Sequence, residues 1–500
     1  MPLRKISVQP TPASSPVLPG TQVPISAELK ARFDAIRAEL DVPTEFPPEV
    51  LAEAEEAAKA PRLPERDETS IPFLTIDPEG SMDLDQALHI ERDGEGYRVR
   101  YAIADVPAFV QAGGAVDAET RKRGQTIYAP DGRTPLHPPV LSEGAASLLA
   151  GEVRPAFVWD MRLSADGEGY DKQVYRARVK STDRLDYVGV QKAIDQADAG
   201  GPGADERLML LKEVGIKRIE FERRRGGASL PMPEQEVNQD DQGQYRLGFR
   251  PPLEVEDWNA QISLMTGMAA AEMMIEAKVG ILRTMPAPDP NAVGRFRAAS
   301  RALGVEWQKG TPYGEFLRTL DRTNPKHLAL IHEATSLFRG AGYTPMDGEV
   351  PAEREHAAVA YPYAHVTAPL RRLVDRFGLA ICAALSAKEE VPAWAREALP
   401  SLPEIMASSD KVASGVERAC ADAVEAAALS SRVGEEFRAM VVDQRDRDKD
   451  GGKVLIQIDD PAVLANATGR AELGTWVTVK LVEATVSTGV VRFEVVGPAA

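Results

Sequence analysis

Cysteine is scarce. Cys382 and Cys420 are the only two in 500 residues, and they lie in separate apolar stretches with no CxxC spacing. That count excludes a disulfide framework and a structural zinc site, and leaves buried free thiols in a reducing compartment as the expectation. Positive charge is in deficit: 59 Lys and Arg face 76 Asp and Glu, for a formal net charge of −17. Non-specific coating of nucleic acid by bulk charge is thereby excluded, but a local basic channel is not. Long apolar runs are missing too. None approaches the ~20 residues that span a bilayer, and the N-terminal stretch has no apolar core of a secretory signal. A cytoplasmic, soluble protein with no membrane partner is expected. There is no fixed-period repeat, no Gly-x-x-x-x-Gly-Lys phosphate loop and no nucleophile elbow.

What is present suits a globular chain of about two to four domains, with 43% apolar and 27% charged residues. Residues 1–20, rich in Pro, Ser and Thr, are expected to be a disordered tail. Residues 21–70 read as a helical region. Leu29, Phe33, Ile36 and Leu40 recur at helical spacing behind Ser26 as N-cap, and Pro48 opens a second helix that Pro61 stops. The pair could be helix-turn-helix-like, but the acidic second helix favours packing against the body. From residue 71 the pattern is mixed. Leu88–Glu91 and Tyr97–Ala104 read as strands joined at Asp93-Gly94. Helical periodicity covers Leu208–Arg225, Trp258–Arg283 and Pro369–Ala387. A proline-rich connector then precedes a long helix ending near Val433. Residues 435–500 read as short strands, Phe437–Asp443, Lys453–Ile458, Trp476–Val482 and Val490–Val495, fitting a small closed barrel of the OB type. The fold class is therefore α+β, with residues 71–434 as the central domain.

Two constellations carry chemistry. In Thr75-Ile76-Asp77-Pro78-Glu79-Gly80-Ser81-Met82-Asp83-Leu84-Asp85-Gln86, three aspartates share one loop ahead of a strand. Clustered carboxylates repel, and a recessed cluster is tolerated when a cation neutralises it. Hard oxygen ligands favour Mg²⁺, with Mn²⁺ as the alternative. Three aspartates alone fit a solvated acidic turn at least as well, whereas the spacing does not fit an EF-hand. The second constellation is Tyr363-Ala364-His365-Val366-Thr367-Ala368-Pro369-Leu370-Arg371-Arg372-Leu373-Val374-Asp375. Pro369 in the first turn of a helix places Arg371 and Arg372 at its N-terminus, a phosphate clamp. Two surface arginines pairing with Asp375 is the equal alternative. A metal cluster and an anion clamp in one chain point together to phosphodiester chemistry.

At this point a resemblance enters. TIDPEGSMDLDQAL resembles the active-site motif of the ribonuclease II family, T-I-D, five residues, then D-x-D-D. YAHVTAPLRRLVD resembles its Y-x-H-F-T-S-P-I-R-R-Y-x-D signature. AIADVPAFV, TIYAPDGRTPLHPPVLSEG and VKSTDRLDYVGV match in order between them, so the resemblance covers roughly residues 71–390. Residues 435–500 resemble the family's C-terminal S-one-type OB domain. No counterpart of the family's N-terminal cold-shock barrels stands before residue 71. The resemblance implies an RNB-type catalytic domain and an exoribonuclease acting from the 3′ end of single-stranded RNA. It would release 5′-mononucleotides and leave a short limit oligonucleotide, with Mg²⁺ or Mn²⁺ as cofactor; a monomer is expected. It further implies that Asp77, Asp83, Asp85 and Gln86 line the metal site, that Asp85 matters most to the chemistry, and that Arg371 and Arg372 hold the scissile phosphate. Tyr128 would stack on the terminal bases and Tyr187 would help read the ribose. His365 and Thr367 would shape the arginine loop. Three departures from the pattern stand out. Gln86 replaces the fourth aspartate, Ser263 stands where the family has a glutamate, and the late-helix carboxylate could be Glu417 or Asp422. A catalytically weakened or inactive RNA-binding homologue is the alternative that Gln86 supports.

Overall fold

Period-two alternation of large and small apolar residues between Phe73 and Asp186 builds five strands that close into a barrel. In the computed structural model these are Phe73–Asp77, Gln86–Asp93, Gly96–Ala104, Val153–Leu163 and Gly169–Asp186. All pairings are antiparallel except the last, where the first strand runs parallel to the fifth with Asp77 opposite Asp186. The structure describes residues 5–8, 21–23, 26–201, 203, 205–232, 234–239, 244–250, 252–445 and 452–499. The strand faces differ in size. Leu88, Ile90, Val99, Tyr101, Ile103, Phe157 and Trp159 join one core with the helices Glu206–Arg224, Glu254–Ala277 and Leu373–Ala387. The small-residue face, with Ala87, Ala102, Ala156, Val158 and Ala177, packs with Val50 and Ala54 of the helix Pro48–Lys59. The hairpin expected at Asp93-Gly94 is present, and its glycine takes φ +61°.

The N-terminal helices are Ala27–Glu39, capped by Ser26 Oγ accepting from Leu29 N at 3.0 Å, and Pro48–Lys59. Both pack against the body of the protein. Leu29, Phe33 and Ile36 are fully buried in a core shared with Val416, Cys420 and Val424 of the long helix Leu402–Leu429, whereas Val50 and Ala54 belong to the barrel's core. The disordered tail needs correction in part. Lys5–Val8 is a strand paired in parallel with Glu234–Gln239, which supplies hydrogen bonds a short β-prone segment cannot make alone; the rest of residues 1–20 lies outside the described residues. Two helix boundaries also differ. Helix Glu254–Ala277 stops where Lys278 turns left-handed at φ +56°, and Val279–Thr284 is a strand against Gly342–Asp347. Helix Leu373–Ala387 begins four residues after Pro369, so the proline and Arg371 lie in a turn and Arg372 is the N-cap.

The C-terminal strands Glu436–Arg445, Lys453–Ile458, Val463–Thr468, Trp476–Thr485 and Val490–Pro498 close a second barrel. Their order places the third strand parallel to the fifth, as in an OB-fold. The third strand, VLANAT, was not expected from the sequence. Phe437 and Phe493 fill the interior edge to face at 5.8 Å, while Trp476 lies under the Arg438 guanidinium. No helix among the described residues is long and apolar enough to cross a membrane. Both cysteines are buried and free.

Candidate active site

The acidic loop joins the first two barrel strands. Asp77 ends one strand, Gly80 turns the chain at φ +78°, and Asp85 immediately precedes the next strand. Its opposite wall is the turn 367–372. Asp85 is 4% exposed; its Oδ1 accepts from Leu370 N at 2.7 Å and its Oδ2 lies 3.6 Å from Arg371 Nε. The two constellations are therefore one site, assembled across 285 residues of chain. Its rear is secured by Gly124, whose carbonyl accepts from Leu373 N, and by Thr126 N, which donates to the Arg371 carbonyl, both at 2.9 Å. Gly124 sits at φ +71°, and a Cβ there would meet Ser409 Oγ at 2.5 Å, so no other residue fits.

The two arginines have separate jobs. Arg372 is bound by Asp375 through Nε and Nη2, and the fully buried Asp375 also accepts from Ala368 N at 2.8 Å. This ion pair holds the turn and engages two of the Arg372 donors. Arg371, with about half its side chain exposed (48%), faces the acidic loop. Tyr128 and Tyr187 belong to the same cleft. The Tyr128 hydroxyl is pushed above its ordinary range by burial and then by Asp83, with Arg371 opposing. That of Tyr187 is raised by burial and by Asp77, and it accepts from Asn259 Nδ2 at 3.1 Å.

Burial in the cleft pushes the Asp77 carboxyl up to about 7, with Asp83 adding and Arg371 and Arg184 opposing. Burial raises Asp85 well above the carboxylate range, against the pull of Arg371 and the Leu370 N–H. Two recessed carboxylates under-supplied with positive charge are a donor set that a hard divalent cation fits. The other two expected ligands are otherwise engaged. Asp83 Oδ1 accepts from Arg133 Nη1 at 2.7 Å. Gln86 Oε1 accepts from the Tyr101 hydroxyl while its Nε2 donates to the Thr367 carbonyl at 2.8 Å. Among the described residues no three His, Cys, Asp or Glu side chains are grouped closely enough to hold an ion unaided. Asp77 and Asp85 are the two of the four whose carboxyls burial raises.

His365 is no phosphate cation: burial, then Arg372 and Arg283, hold its ring neutral, and Nδ1 shares a 2.7 Å hydrogen bond with the Tyr343 hydroxyl. Sequence reasoning missed Arg133, which the register of the Ile127–Ala129 hairpin sets opposite Tyr128; the Asp131-Gly132 turn was the available signal. On the late helix, Asp410, which the sequence reading did not name beside Glu417 and Asp422, accepts from Gln125 Nε2 at 2.9 Å and lies 3.8 Å from Arg283.

Comparison with known proteins places the two domains. Residues 65–381 match the RNB domain, and residues 435–496 match the RNase II-type exonuclease C-terminal S1 domain. Ribonuclease R of Escherichia coli (strain K12) is 30% identical over 340 residues, 65% of this chain and 40% of the relative, so the chain spans about two fifths of that protein's length. The apo structure of Mycoplasma genitalium RNase R superposes with a TM-score of 0.81 at 18% identity, over 94% of this chain and 78% of that one. Yeast Ssd1, described as a pseudonuclease, shares the fold with a TM-score of 0.68 at 15% identity, over 91% of this chain and 58% of that one. With its RNB domain matched over residues 65–381 and its S1 domain over 435–496, the chain belongs to the RNase R and RNase II family.

Proposed function

We propose that this protein is a divalent-metal-dependent hydrolytic exoribonuclease that shortens single-stranded RNA from its 3′ end, releasing 5′-mononucleotides and leaving a short limit oligonucleotide. The observation that carries the reading is Asp85, buried, fixed by the Leu370 N–H and faced by Arg371. Asp77 and Asp85 would hold Mg²⁺ or Mn²⁺, which when bound supplies an activated water and neutralises phosphate charge. The chain's own residues do the rest. Arg371 binds the scissile phosphate and steadies the charge that grows on its oxygens. Arg372 and Asp375 keep the turn in place. Tyr128 stacks on a terminal base, and Tyr187, oriented by Asn259, lies on the ribose side. The test is a product ladder from end-labelled single-stranded RNA with Mg²⁺, with Mn²⁺ and with EDTA. Stepwise 3′ shortening that EDTA stops is the expected result; internal cuts or metal-independent cleavage would refute the reading. A second reading, an RNA-binding homologue without hydrolysis, draws on the engagement of Asp83 by Arg133 and of Gln86 by Tyr101. It predicts tight RNA binding and an unchanged ladder under every metal.

A further inference from the structure

Two of the positions at which the chain departs from the ribonuclease II pattern converge on a single residue. Gln86 stands where that pattern has its fourth aspartate, and its Nε2 donates to the Thr367 carbonyl at 2.8 Å. Ser263 stands where the pattern has a glutamate, and its Oγ shares a 2.8 Å hydrogen bond with Thr367 Oγ1. Thr367 is 4% exposed and begins the turn that carries Leu370, Arg371 and Arg372. Its backbone and its side chain are thus each held by one of the two replacements. Gln86 is itself fixed from behind, since its Oε1 accepts from the hydroxyl of Tyr101, a residue 1% exposed on the neighbouring barrel strand.

An ionised carboxylate at position 86 has no hydrogen to give the Thr367 carbonyl, and would set oxygen against oxygen. An amide serves both neighbours at once, donating forward and accepting from behind. The next anchors along the turn are carboxylates, Asp375 on Ala368 N and Asp85 on Leu370 N. The turn is therefore gripped at its start by an amide and a hydroxyl and further on by carboxylates, and Arg371 follows directly.

We propose that Gln86 and Ser263 are positioning residues, a neutral clamp on Thr367 that sets the aim of Arg371, and that Gln86 is not a metal ligand. This rests on the reading of Asp85 and Arg371 as the phosphodiester site. The clamp acts on geometry and not on charge. Loosening it costs rate without weakening binding of RNA or of metal, because a reacting group displaced by ~1 Å loses catalysis far more than affinity.

The experiment compares Gln86→Leu, Ser263→Ala, their combination and Ser263→Thr in the full-length protein. Single-turnover cleavage, RNA binding in EDTA, Mn²⁺ binding by electron paramagnetic resonance and amide hydrogen exchange of residues 368–372 are all measured. Each disruptive single change should slow cleavage about tenfold, with RNA and Mn²⁺ affinities held within about twofold. The double change should cost little more than the worse single one, since both act through Thr367, and Ser263→Thr, which keeps the hydroxyl, should retain the wild-type rate. Should Gln86→Leu fail to fold, Gln86→Glu keeps the acceptor for Tyr101 and lacks the donor for Thr367. It should be slower despite the added charge, whereas a ligand at position 86 would gain Mn²⁺ affinity and rate. Weaker Mn²⁺ binding in Gln86→Leu, or losses that multiply to about a hundredfold in the double variant, would overturn the clamp. If the wild-type protein cleaves no RNA, it is the functional reading that fails. The clamp is then judged by exchange alone: faster exchange at residues 368–372 in the Gln86 variant supports it, and unchanged exchange overturns it.

Discussion

On the proposed function, Asp85 would serve chemistry at the expense of stability. It is buried, and its surroundings favour the proton over the charge. Asp85→Asn keeps the acceptor for Leu370 N and removes the charge that the cleft disfavours. Hydrolysis should fall below detection and RNA binding should persist, while the melting temperature holds or rises; cleavage within a few-fold of wild type would show that the charge is not needed. Tyr128 makes a different kind of contribution. On the proposed function, stacking of a terminal base on its ring would be worth roughly 1–3 kcal/mol and blind to sequence. Tyr128→Ala should change the length of the limit oligonucleotide more than the rate on long RNA, as read on a sequencing gel. If Tyr128 only fills space, all substrates slow together and the end product stays the same. The aspartates, Arg371 and both tyrosines were legible in the sequence because their motifs are local and ordered. Arg133, Asp410 and the two bonds of the Gln86 amide were not. Each depends on a partner brought in by folding, 50 residues away for Arg133 and Asp83, 285 for Gln125 and Asp410, and 281 for Gln86 and Thr367.

Among the elements, the helix Leu402–Leu429 links the most parts of the fold. Its Glu425, 2% exposed, accepts through Oε1 from Gln235 Nε2 at 2.6 Å and from Leu464 N at 3.1 Å, joining the helix to the N-terminal sheet and to the second barrel. Glu425→Ala removes one acceptor from Leu464 N and one from Gln235 Nε2, which still donates to the Ala462 carbonyl at 2.8 Å, and should cost roughly 1–3 kcal/mol in denaturant unfolding, with Glu425→Gln costing less. An unchanged midpoint in the alanine variant would deny the helix this linking role. The strand VLANAT was hidden because Ala and Asn are poor strand formers, and pairing on both edges, with Lys453–Ile458 and with Val490–Pro498, imposes the conformation instead. The strand Val279–Thr284 was hidden for the opposite reason. Helical periodicity runs up to it, and only the left-handed Lys278 breaks the helix. The hairpin at Asp93-Gly94 and the capped first helix were plain, since their signals lie within a few residues.

For the molecule as a whole, the boundary drawn at residue 435 is one of sequence and not of packing. Phe437 and Phe493 of the second barrel share a core with Leu29, Phe33 and Val424. An acidic chain also carries a pH cost. Burial, then Asp410 and Glu234, push the Glu417 carboxyl up from 4.5 to about 7. The unfolded chain releases this proton first, so stability falls as pH rises from 4.5 towards 7, and the full penalty stands above that range. Glu417→Gln should therefore raise the unfolding free energy in alkaline buffer by on the order of 1 kcal/mol after allowance for solvent screening, and change little in acid. Equal gains at both ends of the pH range would mean that packing and not charge is at work. The hydrogen bond from Leu370 to Asp85 also bears on how the protein is made. The acidic loop leaves the ribosome long before the arginine turn, 285 residues behind it. On the proposed function, a growing or prematurely ended chain that stops short of Arg371 holds only half of the site and would leave the messenger being translated uncut until synthesis has passed that point.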